Sequence, residues 1–208
     1  MFKQSLCAVA IISAMSGVAL ADDYTYVAGG LQVGGITNKS DFDKLVHQNR
    51  PDQSKTTMGG FYLRGGYGFE NNVFIDARLN AMGNSQRGSG DSLLGLGYHF
   101  AINPTTDMYA LIGASGHAVS SNFDYDKKRD ENWSSATGEI GVKSHITDKI
   151  SMNAAYRYAE YDSRGFNEAR IGAGYTLTPN LAAEIGYTYH NWKVDDQIGE
   201  IGIRYTFQ

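Results

Sequence analysis

The sequence predicts an all-β chain, closed into a transmembrane, antiparallel up-and-down β-barrel of about ten strands, with eight as the alternative count. Three observations predict it. Apolar and polar residues alternate with a period of two along most of the chain. Tight turns alternate with longer polar loops. After residue 21 nothing approaches the roughly 20 apolar residues a membrane helix needs, although the chain opens on an export leader.

That leader, MFKQSLCAVAIISAMSGVALA, has Lys3 as its one charge, an apolar stretch from Leu6 to Leu20, and small residues at Ala19-Leu20-Ala21 where a signal peptidase would cut. Residues 1–21 are therefore read as a secretory signal peptide and residues 22–208 as one outer-membrane barrel domain. Cys7 is the only cysteine; it lies inside the leader after Leu6, which is not the setting of a lipoprotein acylation site. The net charge of −4 comes without a basic stripe and argues against nucleic acid as a partner. The 25 Gly and 14 Tyr against 3 Pro are unusual for a soluble domain of this size.

The strands follow in order. The first is expected near residues 23–36. In FYLRGGYGF, Phe61, Leu63, Tyr67 and Phe69 oppose Arg64. In VFIDARLNAM, Val73, Ile75, Ala77, Leu79 and Ala81 alternate with Phe74, Asp76, Arg78, Asn80 and Met82. LLGLGYHF sets Leu94, Leu96, Tyr98 and Phe100 against His99, and a glycine-blurred strand follows near residues 108–119. In GEIGVKSHI, Ile140, Val142 and Ile146 oppose Glu139, Lys143 and His145; in ISMNAAYRY, Ile150, Met152, Ala154, Tyr156 and Tyr158 oppose Asn153 and Arg157. EARIGAGYTL opposes Ile171, Ala173, Tyr175 and Leu177 to Glu168 and Arg170, LAAEIGYTY opposes Ile185, Tyr187 and Tyr189 to Glu184, and EIGIRYTF opposes Ile201, Ile203, Tyr205 and Phe207 to Glu200 and Arg204.

Tight turns fall at residues 70–72, 101–106, 147–149 and 178–180, all rich in turn formers. Longer loops fall at 37–56, 83–90, 120–132, 162–165 and 191–196. An even strand number returns both mature ends to the periplasm, with the longer loops outside the cell. Strands of about 10 to 12 residues tilted near 40° project to about 26 Å, close to the apolar band of such barrels. A soluble β-sandwich would leave the tyrosines near strand ends unexplained, whereas an aromatic girdle at the lipid headgroups accounts for them.

The closing stretch EIGIRYTFQ resembles the carboxyl-terminal β-signal of bacterial outer-membrane proteins: Glu200, Gly202, Tyr205 and Phe207 match its polar residue, glycine and two spaced aromatics, and Gln208 extends one residue past the usual aromatic end. The whole mature chain is similar to small outer-membrane β-barrels that include the Ail/Lom-type and opacity-type surface proteins. The resemblance implies a Gram-negative outer-membrane location and partners in outer-membrane lipid, lipopolysaccharide and the barrel-assembly machinery.

By parity the interior receives Arg64, Arg78, Lys143, Arg157, Arg170 and Arg204 with Asp76, Glu139, Glu168, Glu184 and Glu200. Nearly balanced charges in a narrow barrel point to salt bridges across a filled lumen. The same residues as charged rings would suit a narrow, low-conductance channel.

Chemistry is sparse. His47 with Asp41 and Asp43, His190 with Asp195 and Asp196, His117 with Ser120, and Ser144 with His145 lack the orienting group and oxyanion donors of a catalytic site, so the expectation is no enzyme, no cofactor and no catalytic or metal residues. Asp124, Asp126, Asp130 and Glu131, interleaved with basic residues, lack calcium-loop spacing. Function is expected in the loops, as adhesion or another host-surface interaction, with Phe42, His47, Tyr125 and Trp133 as binding candidates.

Overall fold

The computed structural model describes residues 23–37, 57–85, 87–121, 129–193 and 195–207. Among these residues ten strands run in chain order: β1 (Tyr26–Ile36), β2 (Thr57–Gly68), β3 (Val73–Gly83), β4 (Arg87–Asn103), β5 (Thr106–Ser121), β6 (Arg129–His145), β7 (Ile150–Tyr161), β8 (Arg164–Thr178), β9 (Leu181–Asn191) and β10 (Asp196–Thr206). Each pairs antiparallel with the next, and β1 pairs with β10 from Tyr26↔Thr206 to Ile36↔Asp196. The sheet is a closed barrel of ten strands, not eight, and closure removes the edges that lipid could not solvate.

The parity of each strand follows from solvation. Leu31, Leu94, Ile112, Ile140, Ile185 and Ile201 point outward, Ile112 being 73% exposed, while Asp76, Glu139, Arg157 and Glu168 are buried inside. A slip of one residue would turn every such arginine to lipid, at about 2–4 kcal/mol each at the bilayer midplane. At the end carrying the short turns, Tyr67 and Phe69 pack edge to face with centroids 5.0 Å apart, as do Tyr205 and Phe207 at 5.1 Å. Tyr98 and Tyr175 stand exposed on the same rim.

One turn shows how little chain the strands need between them. Asp162 and Ser163, with φ of 52° and 56°, bridge the paired residues Tyr161 and Arg164, the left-handed pair of a two-residue hairpin. Inside, Phe74 and Tyr109 lie flat against the wall only because their neighbours lack side chains. A Cβ on Gly97 would sit 2.2 Å from the Phe74 ring, and one on Gly141 would sit 2.4 Å from Tyr109.

The strands depart from expectation in length. β4, β5 and β6 have 17, 16 and 17 residues rather than 10 to 12, so the loops expected at 83–90 and 120–132 are shorter. The residues that lengthen the strands lack apolar alternation because they stand beyond the apolar belt, yet their backbones still pair, as in Ser120↔Asp130 and His117↔Trp133. Trp133, expected in the third loop, therefore belongs to β6.

Candidate functional site

The candidate site is the lumen, built in layers from the loop end to the turn end. At the loop end, Ile36, Met58, Met82, Val119 and Ile198 fill one side. Ala159, Tyr161, Phe166 and Trp192 fill the other. Trp192 follows β9 and folds inward, its indole N–H donating to the Tyr161 carbonyl at 3.3 Å. Half-buried Trp133 packs on it with ring centroids 4.8 Å apart. Lys193 clamps this cap to Asp162 in the neighbouring turn.

Below the cap lies a belt of charge. Arg78 on β3 reaches across the space in front of β4 and β5 to Glu139 on β6, with contacts of 2.5 and 2.9 Å, and also meets Asp76 at 2.6 Å. Arg170 on β8 links Glu139 at 3.2 Å to Glu168 at 3.3 Å. Glu168 in turn accepts from Arg157 at 2.5 Å and His190 at 3.0 Å. The other ring nitrogen of His190 lies 2.8 Å from Asp196. His190 thus lies between two carboxylates, one on β8 and one on β10. Tyr26 donates to Asp76 at 2.8 Å and Tyr109 to Glu139 at 2.7 Å.

These contacts make one connected path from Asp76 to Asp196 through strands that are not neighbours. Side chains from β3, β6 and β8 meet only by spanning the interior, so the belt crosses it. An isolated buried ion costs several kcal/mol even after relaxation, and that penalty is met only where each ion has partners in good geometry. Other pairs surround the belt: one guanidinium nitrogen of Arg64, Nη2, donates to both Glu200 carboxylate oxygens at 2.7 Å, Arg204 meets Glu184 at 3.2 Å, and His117 meets Asp91 at 2.8 Å.

All eleven charged residues singled out by parity face inward. Arg78, Glu139, Arg157, Glu168 and Arg170 join in the belt with Asp76, while Arg64, Glu200, Arg204 and Glu184 pair nearer the turn end. Lys143 donates to the Asp23 carbonyl at 3.1 Å and lies 3.5 Å over the Tyr24 ring. Sequence reasoning missed Asp91, His117, His190 and Asp196 as lumen residues; the parity of His99 and Glu184 would have found Asp91 and His190, but β5 is blurred by small residues and Asp196 was placed in a loop. Of the four residues that resemble a β-signal, Glu200 and Gly202 line the interior, and Tyr205 and Phe207 pack together at the outer rim.

Two of the pairs weighed for catalysis have definite places. His190 and Asp196 belong to the belt, Ser144 bonds Thr106 at 2.8 Å, and His145 bonds Asp23 at 2.6 Å. Phe42, His47, Tyr125, Asp41, Asp43, Asp124 and Asp126 lie outside the described residues. Trp133 sits at the loop-end mouth on β6. Among the described residues no cluster of His, Asp and Glu is arranged to hold a metal ion.

The turn-end half is less full. Its β8 and β9 wall carries Gly172, Ala182 and Gly186 where the opposite wall carries Tyr26, Tyr62 and Arg64, and a cavity of about 280 Å³ remains between them.

Solved barrels share this outline. The crystal structure of Ail, the attachment invasion locus protein of Yersinia pestis, is 14% identical with a TM-score of 0.46, over 86% of this chain and 95% of that one. The KdgM porin in complex with disordered oligogalacturonate is 8% identical with a TM-score of 0.45, over 88% of this chain and 100% of that one. The NanC porin is 10% identical with a TM-score of 0.47, over 88% and 99%. Likenesses of this size carry no argument about function, and no curated protein matches the chain. The family assignment rests instead on the sequence match to the outer membrane protein β-barrel domain over residues 5–175, which agrees with the closed, outwardly apolar wall: the chain belongs to that family.

Proposed function

We propose that this is a closed outer-membrane barrel that works at the cell surface through its loops, as a structural or host-recognition protein, without enzymatic activity. The leader is removed after Ala21, and the barrel-assembly machinery reads Glu200, Gly202, Tyr205 and Phe207. The short turns and both mature ends face the periplasm. The loops near residues 37–56 and 120–132, with Phe42, His47, Tyr125 and neighbouring Trp133, meet lipopolysaccharide and a host-surface ligand.

One observation supports this reading above the others: the path of ion pairs from Asp76 to Asp196 crosses the lumen beneath an aromatic cap. Opening a pore there would strip partners from several buried ions at once, at roughly 3–5 kcal/mol for each pair broken. The competing reading, a narrow low-conductance channel, draws on the charged cavity in the turn-end half.

Planar-bilayer recording separates the two. The purified barrel is expected to give no steady conductance, and cells whose loops 37–56 and 120–132 are replaced by Gly-Ser linkers are expected to lose adherence or serum survival at equal levels of folded barrel. A reproducible, charge-selective current would favour the channel, and unchanged adherence and survival would remove the loops from the function.

A further inference from the structure

The residues just before β1 do not trail away from the barrel; they lie across its turn-end opening. Tyr24 is 1% exposed, its ring stacked on His99 with centroids 4.1 Å apart and packed on Phe74 at 4.5 Å. The Thr25 hydroxyl accepts from the Gly68 backbone N–H at 3.0 Å. The Asp23 carbonyl accepts from Lys143 at 3.1 Å and Arg204 at 2.7 Å, and its carboxylate meets His145 at 2.6 Å. Partners on β2, β3, β4, β6 and β10 thus hold three consecutive residues. Asp23 and Tyr24 themselves form part of the wall of the 280 Å³ cavity behind them.

The chemistry of the contacts is one-sided. The groups reaching toward Asp23 are cationic or donating, and what the segment offers them is an oxygen acceptor, once as a carbonyl and once as a carboxylate. Burial pushes the Asp23 carboxyl up, but Lys143, His145 and Arg204 outweigh it and hold the group below its ordinary value. Of the remaining cavity-lining groups, Glu184 and Glu200 are committed to Arg204 and Arg64, and Asp76 to Arg78.

We propose that residues 23–25 are a strap that occupies an anion site at the turn end of the lumen, built by Lys143, His145 and Arg204, and that its release opens the cavity to small carboxylate- or sulfonate-bearing solutes. The strap acts as a tethered pseudo-ligand, its own acceptor oxygens standing where a solute's would bind. The belt above the cavity is untouched, so the opened space is a dead-end vestibule and conducts nothing. The proposal concerns only the turn end, and stands whether or not the loops recognise a host.

Thiol accessibility tests it in the folded barrel in detergent, where orientation in a membrane is irrelevant. The reporter is Asn153→Cys, inside the cavity, in a chain carrying Cys7→Ser so that no other thiol is present. It is reacted with two small thiosulfonates, one bearing a sulfonate and one a trimethylammonium group. Tyr24→Ala, which removes the anchor, is expected to raise the sulfonate reagent's rate about tenfold, and the cationic reagent's rate by less, because a cationic mouth concentrates anions. Asp23→Ala removes only a half-exposed carboxylate and leaves the barrel assembled, and it is expected to raise the ratio of anionic to cationic rates about threefold. An unchanged ratio in Asp23→Ala, or an equal rise for both reagents in Tyr24→Ala, overturns the anion site. A sulfonate rate already at the opened level with the strap intact overturns the closure.

Discussion

The Glu139 side chain is fully buried and accepts from Arg78, Arg170 and Tyr109, which arrive from β3, β8 and β5. Among the described residues no other carboxylate joins as many walls of the barrel; Glu168 takes its partners from β7, β9 and its own β8. Glu139→Gln keeps the shape and removes the charge, leaving two buried guanidinium groups short of an anion; the expected loss is about 3–5 kcal/mol of unfolding stability. Glu184→Gln is the control, because its pair with Arg204 is longer, at 3.2 Å, and partly exposed, and pairs of that kind contribute about 1 kcal/mol or less. Urea unfolding of both variants in detergent separates them: equal losses would mean that the belt acts as a set of independent pairs rather than as a joined structure.

At the scale of the element, β10 carries three tasks. Its inner face supplies Asp196, Glu200 and Arg204 to the lumen, while Tyr205 and Phe207 pack edge to face on the rim, and its other edge closes the barrel against β1. Phe207 is therefore bound into little of the lumen, and its loss should be felt in assembly more than in the finished barrel. Phe207→Ala is expected to lower the amount of folded protein in the outer membrane severalfold and to induce envelope stress, while deletion of Gln208 leaves the level unchanged. Quantifying folded and unfolded bands from membrane fractions checks this, and a normal folded level for Phe207→Ala would exclude the aromatic from the assembly signal.

For the whole molecule, closure makes stability collective: ten ladders share their hydrogen bonds around a ring, and the side chains within lock non-neighbouring strands together. Such a barrel resists detergent until heated. Unboiled samples are expected to run on a denaturing gel at a different apparent mass from boiled ones, with β-rich circular dichroism in detergent and loss of both together on heating. A helical spectrum, or a protein that stays folded and dispersed without detergent, would contradict a membrane barrel.

The strand number, the parity and the identity of the inward charges were legible in the sequence because each depends on local alternation against a single outer solvent. Val73 to Met82 alternates so cleanly that only one face suits lipid, and Arg78 must then turn inward. Strand length was not legible where the chain rises beyond the apolar belt, since Asp130 to Ser134 pairs through its backbone while its side chains answer to no membrane. Nor was the pairing of the lumen: parity could place Arg78 and Glu139 inside, but 61 residues of chain separate them, and only barrel closure with its register sets one opposite the other. The strap was the least legible of all. Asp23 and Tyr24 read as the start of a strand, and what draws them across the opening is a set of partners, Lys143, His145 and Arg204, that only the closed barrel assembles.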